Sequence, residues 1–444
     1  MDLTSFVPLF GNFAFTLGAF ILALSIIVAI HEYGHYIVGR WCGIHAEVFS
    51  LGFGPVIWSG TDARGTQWQI AALPLGGYVK FLGDANAASV GSDGTVPEVD
   101  ARRTMLGAPL WARTLTVLAG PVFNFILAMA VFAGTIMYQG RVSEPLTLGS
   151  FTPLPPSFAA ELQEGDVLLA IEGVPVDDPD RQIGLVDALP LQERLAYSVL
   201  RDGEEITVDG PYLMPSAVAS VVPRSAADDA DLKIDDVIMA VDGEPIFAFT
   251  QLQEIVPARA GDALELLIWR DGEELTVTLE PRATDEPQPD GTFRTVYRIG
   301  ISGQMFFEPQ TDSVSLFEAV PMAVDGLWNT LTTSISAIKH IIIGRISTCN
   351  LSGPVGMAQT VGSMAEQGWD DFILSIGLVS AAVGLVNLFP VPVLDGGHLA
   401  FYAYEAVTRR KPNDRVLQVF MLIGLTLILM LMTFTVLNDT LLCP

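Results

Sequence analysis

His31 and His35 stand four residues apart in His31-Glu32-Tyr33-Gly34-His35. On an α-helix that spacing puts both imidazoles on one face, where they can grip a single metal ion. Glu32 is adjacent, and a carboxylate beside a metal site can act as general base toward water. Two neutral imidazoles plus one carboxylate suit zinc and leave a fourth position for water. With five histidines in 444 residues the pattern is scarce by chance. The plainer alternative is a pair of interfacial histidines beside a snorkelling Glu. A third ligand must come from elsewhere, and Asp395 is a candidate, since it follows Pro390-Val391-Pro392 and precedes Gly396-Gly397. A proline break lets a side chain turn inward, yet Asp before two glycines is equally ordinary turn and cap chemistry. His398 is a rival ligand, ranked lower because two imidazoles and a carboxylate already complete a hydrolytic site.

The elements that carry these residues are apolar. Residues 13–30 form an unbroken apolar or small run that continues through Tyr36-Ile37-Val38, long enough to span a bilayer. No basic stretch precedes it and no small-residue cleavage site follows, so it reads as a retained helix. Three ionisable residues embedded there are costly, which points to function. Residues 114–138 form a second span and 416–437 a fourth. Residues 372–407 are apolar but interrupted by Pro390 and Pro392. Such a broken helix is tolerated at membrane depth where it is buried in protein or lines a cavity.

Charge orients the spans. Arg409, Arg410, Lys411 and Arg415 lie between spans three and four, and Arg40, Lys80, Arg102, Arg103 and Arg113 lie around the loop between spans one and two. The positive-inside bias makes both loops cytoplasmic and both termini external. Residues 141–318 then face outward, and they carry 34 Asp and Glu against 11 Lys and Arg, out of a chain charge of −27. A segment that acidic should be water-soluble and argues against nucleic-acid binding. Three scattered cysteines, Cys42, Cys349 and Cys443, suggest neither a disulfide framework nor a zinc ribbon.

Between spans one and two, residues 44–82 alternate apolar and polar in short runs broken by Gly52-Phe53-Gly54-Pro55 and Leu75-Gly76-Gly77-Tyr78, which predicts a small antiparallel sheet. Residues 84–100 read as a flexible acidic loop. An edge of the sheet, with pairing tested at residues 67–72, is expected to meet unwound substrate backbone. The external segment repeats itself. Gly165-Asp166-Val167-Leu168-Leu169-Ala170-Ile171-Glu172-Gly173 returns as Asp235-Asp236-Val237-Ile238-Met239-Ala240-Val241-Asp242-Gly243, and Arg201-Asp202-Gly203 returns as Arg270-Asp271-Gly272. Duplicated small β-rich modules follow. Residues 283–312, rich in Pro, Asp and Thr, read as a linker, and 315–343 as an amphipathic helix against the membrane surface.

The motif in span one, together with Asn387-Leu388-Phe389-Pro390-Val391-Pro392-Val393-Leu394-Asp395-Gly396-Gly397, resembles the site-2 protease family of intramembrane zinc metalloproteases. Gly76-Gly77-Tyr78-Val79-Lys80, Ala119-Gly120-Pro121-Val122-Phe123-Asn124 and Leu351-Ser352-Gly353-Pro354-Val355-Gly356 resemble its bacterial regulator of sigma-E protease branch, in which the duplicated modules look like tandem PDZ domains. The resemblance implies one zinc ion bound by His31, His35 and Asp395, with Glu32 activating water and Asn387 holding substrate backbone. It also implies a single-span membrane protein as substrate, typically a trimmed anti-sigma factor in an envelope stress response, and the bacterial inner membrane as location. Ala382 stands where relatives carry a second Asn, and Asp231 and Asp235 stand where they carry turn glycines.

The expected fold is a polytopic α-helical membrane protein with four transmembrane helices, a small membrane-associated β-sheet and two external PDZ-like β-rich domains. The boundaries are 1–43 for the first helix with the zinc motif, 44–109 for the sheet and loop, and 110–139 for the second helix. Residues 140–214 and 215–282 are the two PDZ-like domains, and 283–369 the linker and amphipathic region. The broken third helix with Asp395 takes 370–409 and the fourth helix 410–444.

Overall fold

A computed structural model describes residues 6–83, 102–176, 185–287, 293–410 and 413–442. The predicted flexible loop 84–100 lies outside them. The chain divides into two compact units: residues 1–137, 315–344 and 348–444 form one, and residues 138–314 with 345–347 form the other.

The first unit is helical. Helix α1 covers Phe6–Trp41 and α2 covers Leu110–Gln139. Helix α3 is Leu316–Ile342, α4 Pro354–Gln367, α5 Trp369–Asn387, α6 Asp395–Thr408 and α7 Asp414–Leu437. Four stretches are long and apolar enough to cross a membrane: Phe13–Trp41, Leu110–Gln139, Trp369–Asn387 and Arg415–Leu442. These coincide with the four predicted spans, the third ending at the proline break. The helical prediction for 315–343 holds in α3, where Ser315 and Glu318 form a capping box, the Ser315 amide donating to Glu318 Oε2 at 3.0 Å. Ala23 and Ile27 of α1 pack with Val361 of α4 and with Phe372 and Ile376 of α5.

Strands β1 (Ala46–Thr61) and β2 (Gln67–Phe81) form the predicted sheet. Each is long and bent. Val48–Leu51 pair with Gly77–Lys80 and also with Gln67–Ile70, and Trp58–Thr61 pair with Gln67–Ile70 in turn. Residues 67–70 are therefore paired on both sides, inside the sheet, and its edges are Trp58–Thr61 and Gly77–Phe81. The base of the sheet is anchored, with Ala46, Phe49, Val79 and Phe81 buried against Tyr36 of α1 and Ala112 and Val117 of α2. Its far part exposes Phe53, Val56, Ile57, Trp58 and Leu73.

The second unit contains the repeat. One four-stranded sheet runs in the order Val174–Pro175, Val167–Ile171, Arg194–Arg201, Glu204–Pro211. The other has the same order in Glu244–Pro245, Val237–Val241, Leu264–Arg270, Glu273–Leu279. The likeness extends to one ion pair. Arg201 clasps buried Asp166 through Nε and a terminal nitrogen at 2.7 Å each, and Arg270 clasps buried Asp236 at 2.6 and 2.7 Å. Asp231 and Asp235 hold positive φ of 56° and 70°, and Gly165, the counterpart of Asp235, has φ 90°, so these aspartates do occupy turns that favour glycine.

The linker prediction for 283–312 is corrected. Arg282–Pro287 and Phe293–Arg298 form a hairpin, Ile301–Gly303 pairs with Val218–Val221, and Phe307–Pro309 pairs with Leu148–Phe151. The second module is thus inserted into the first rather than following it, and the 140–214 segment is closed only by residues beyond 300. The physical reason is two side chains: Phe306 and Phe307 are buried in the first module's core, where a polar average over the stretch concealed them. The scattered cysteines also differ from expectation, since Cys349 is disulfide-bonded while Cys42 is a free thiol. Distance along the chain does not report distance in space.

Candidate metal centre

Helix α1 delivers His31 and His35 one turn apart, and their Nε2 atoms lie 3.2 Å from each other. Asp395, the first residue of α6, brings Oδ2 to 3.1 Å from His31 Nε2 and 3.5 Å from His35 Nε2. These three ligand atoms all fall within 4.8 Å of one another. The open question between ligand and cap is answered by direction. Asp395 points its carboxylate at the imidazoles, and the N-cap position of α6 is held by Leu394 without a side-chain hydrogen bond. His398 is not a member of this group among the described residues.

The break that aims Asp395 is compact. The amide of Phe389 donates to the Val386 carbonyl at 3.0 Å, and that of Leu394 to Val391 at 3.0 Å. Val393 takes a left-handed φ of 96°, an uncommon state for a β-branched residue that marks an over-determined turn. A Cβ on Gly396 would collide with the Phe389 and Leu388 carbonyls, so the turn needs glycine there. Arg113 of α2 then holds α6 through a bidentate pair with Glu405, at 3.0 and 2.7 Å.

Helix α2 supplies partners that the motif alone did not reveal. His35 Nδ1 donates to the Thr116 carbonyl at 2.9 Å, which leaves Nε2 with its lone pair facing the centre. His31 Nδ1 lies 3.1 Å from the side-chain amide of Asn124, a fully buried residue whose Oδ1 has no partner. Turning that amide so that Oδ1 accepts from His31 Nδ1 satisfies the orphan oxygen and frees His31 Nε2 in the same way. The helices approach closely enough for this because of glycine. A Cβ on Gly34 would sit 2.6 Å from the Ala119 carbonyl oxygen, and one on Gly120 would strike the rings of both His31 and His35.

The residues fit a zinc ion. Two imidazole nitrogens and a carboxylate oxygen converge, the carboxylate oxygen is buried with no hydrogen-bond partner, and Gly120 keeps the space beside the rings clear. Glu32 stands alongside, its side chain close against β2, where a Cβ on Gly77 would lie 3.1 Å from Glu32 Cγ. Asn387 is the last residue of α5, half-buried, and its side-chain amide has no hydrogen bond among the described residues. The positions of Asn124 and Thr116 were not legible as partners, because they lie 93 and 81 residues from the histidines they touch.

Residues 19–431 match the model of peptidase family M50. A protein of Rhizobium meliloti strain 1021, provisionally named a zinc metalloprotease, is 33% identical over 435 residues, covering 97% of this chain and 98% of the relative. The regulator of sigma-E protease RseP of Escherichia coli K12 is 32% identical over 460 residues, covering 96% of this chain and 99% of its own. The protein of the same name in Salmonella typhimurium is 32% identical over 455 residues, covering 95% and 98%.

Proposed function

The chain belongs to peptidase family M50 and is a membrane-embedded zinc metalloprotease, and from that premise we propose that it cuts single-span membrane proteins inside the bilayer. The observation that carries this reading is the depth of the cluster. His31 and His35 lie 10 and 6 residues from the Trp41 end of the Phe13–Trp41 span, about 15 and 9 Å along a helix that rises ~1.5 Å per residue. Asp395 meets them beyond the end of the Trp369–Asn387 span.

His31, His35 and Asp395 hold the zinc ion. When bound, zinc supplies the Lewis acidity that polarises a peptide carbonyl. Glu32 takes a proton from the attacking water as its oxygen bonds to the carbonyl carbon, and passes that proton to the amine as the C–N bond breaks. Thr116 and Asn124 keep both imidazoles in the tautomer that offers Nε2. Asn387 donates to the substrate backbone. A substrate helix must unwind to be cut, and its freed backbone groups need partners in lipid. Edge Gly77–Phe81 supplies them, because Gly77 on that edge already lies against Glu32. The exposed apolar side chains of the far part of the sheet suit immersion in the membrane.

The site faces the cytoplasmic side and the PDZ-like modules face the periplasm of a bacterial inner membrane. Two independent features support this. Arg409, Arg410 and Arg415 mark one end of α7 as cytoplasmic. At the other end Asn438 donates to the Thr348 carbonyl at 2.9 Å, next to disulfide-bonded Cys349, and disulfides persist in oxidising compartments. The modules act as a size filter that admits a trimmed anti-sigma factor and bars an intact ectodomain. Deleting the module pair is expected to permit cleavage of untrimmed substrate.

The test of the reading as a whole is Glu32→Gln in a reconstituted cleavage assay with a single-span reporter, with zinc measured in parallel. Cleavage is expected to fall by ~10²–10⁴-fold with zinc retained. Unchanged cleavage sinks the reading.

A further inference from the structure

A polar row crosses the β1–β2 sheet from its interior to one edge. Ser50 pairs with Gln69 on one side and with Tyr78 on the other, and residues directly opposite one another share a face. Ser50 is fully buried and Gln69 is 9% exposed. The Gln69 side-chain nitrogen donates to Ser50 Oγ at 3.1 Å and to Tyr78 Oη at 3.1 Å. The Ser50 hydroxyl donates to the Gly52 carbonyl at 3.0 Å. That last bond sets the direction of the row. Ser50 has one proton, directed at Gly52, so it accepts from Gln69. The amide directs its two protons at Ser50 and Tyr78. The Tyr78 oxygen therefore accepts, and its own O–H has no acceptor among the described residues.

Gly77, the preceding residue, takes the opposite face: a Cβ there would lie 2.9 Å from Val28 Cγ1 and 3.1 Å from Glu32 Cγ. Val28 and Glu32 belong to the Phe13–Trp41 span, so the row lies at membrane level, where a polar group without a partner is costly. Phe53 stacks on the Tyr78 ring, with centroids 6.0 Å and planes 16° apart, which steadies the phenol. On a strand added at the Gly77–Phe81 edge, the residue across from Tyr78 points its side chain to the same face, with Cβ atoms ~4.5–5.5 Å apart. Resting on the cleavage reading, in which substrate backbone adds to that edge, we propose that Tyr78 is a specificity-determining residue. Its O–H donates to an amide or hydroxyl side chain (Asn, Gln, Ser or Thr) at that one substrate position. Gln69 and Ser50 are its positioning residues. A leucine there leaves the donor unpaired, so the edge discriminates against the apolar residues that dominate a membrane helix.

The experiment uses the full chain in the reconstituted cleavage assay, with single-span reporters in which one Asn is stepped through a run of leucines around the cut site. The kcat/KM of each is divided by that of the all-leucine reporter. The wild-type ratio is expected to reach about fivefold, the size of one net hydrogen bond, at one position. It should stay near one at the immediate neighbours, which point to the other face. Tyr78→Phe keeps the ring and its stacking, and should bring the ratio at that position to near one. Gln69→Leu should lower it about twofold or more, and zinc content reports whether each variant is folded. A ratio that survives in Tyr78→Phe overturns the assignment of Tyr78 and leaves the edge reading standing. An undiminished ratio in Gln69→Leu overturns the role of the row. A ratio raised at every position, equally in wild type and Tyr78→Phe, overturns the assignment in favour of helix loosening by polar residues. Absence of any preferred position in the wild type overturns it as well. Unchanged cleavage of the all-leucine reporter by Glu32→Gln overturns the underlying cleavage reading and the assignment with it.

Discussion

Asp166 and Asp395 are both acids taken out of water, and the chain treats them differently. Asp166 is satisfied on every side: Arg201 clasps both oxygens at 2.7 Å and the Gln163 amide donates at 2.9 Å. Its twin Asp236 repeats the arrangement with Arg270 and the Lys233 amide. Asp395 has two imidazole nitrogens within 3.5 Å and still leaves Oδ2 without a hydrogen bond of ordinary geometry. A buried acid that is fully paired fixes a fold. One left incomplete at the convergence of three elements is held ready for something else, and here the donor set suits zinc.

The sharpest way to break that contrast is to neutralise each acid in turn. Asp395→Asn should reduce zinc content to background and abolish cleavage while leaving the second unit's unfolding unchanged. Asp166→Asn should do the reverse, keeping zinc and losing ~1–3 kcal/mol of stability in the second unit, the scale of hydrogen bonds to a charged group. Zinc analysis and denaturant unfolding on both variants separate the two outcomes, and loss of zinc in D166N would blur the distinction.

Next in size are the residues that steady the centre without touching the metal. Asn124→Leu removes the partner of His31 Nδ1 and should weaken zinc binding by ~10–100-fold, as measured by competition with a chelator. An unchanged zinc affinity would remove Asn124 from the account. Glu405→Gln loosens the clasp of Arg113 on α6, ten residues beyond Asp395, and should cost several-fold in cleavage with smaller loss of zinc.

The smallest effect is on pH. The Arg201 guanidinium holds the Asp166 carboxyl below its ordinary value of 3.8. A lowered carboxyl stabilises the fold above its unfolded value, and that contribution disappears as pH falls through the folded one. The unfolding midpoint of the second unit should therefore be flat from pH 7 to about 5 and decline below about 4, with a shallower decline in D166N. Parallel declines in both proteins would show that Asp166 is not responsible.

How much of this was legible in the sequence follows from where each signal resides. His31, Glu32 and His35 are neighbours on one helix, so local periodicity sufficed to group them. The repeat was legible because two copies preserve Asp166 with Arg201 and Asp236 with Arg270 at nearly one offset. Asp395 was visible as a candidate only, because its direction depends on the turn at Val393. Asn124 and Thr116 were invisible as partners, since their contacts depend on the close approach of α1 and α2 at Gly34 and Gly120. Residues 283–312 misled because Phe306 and Phe307 are a small minority of a polar stretch.

The central claim is the ligand set, and X-ray absorption at the zinc edge of the purified full chain tests it most directly. The account predicts two imidazole nitrogens at ~2.0–2.1 Å and carboxylate oxygen at ~2.0–2.2 Å, with no sulfur, and loss of the signal in D395N. A third imidazole, which would bring in His398, or a sulfur at ~2.3 Å, which would bring in a cysteine, would contradict it.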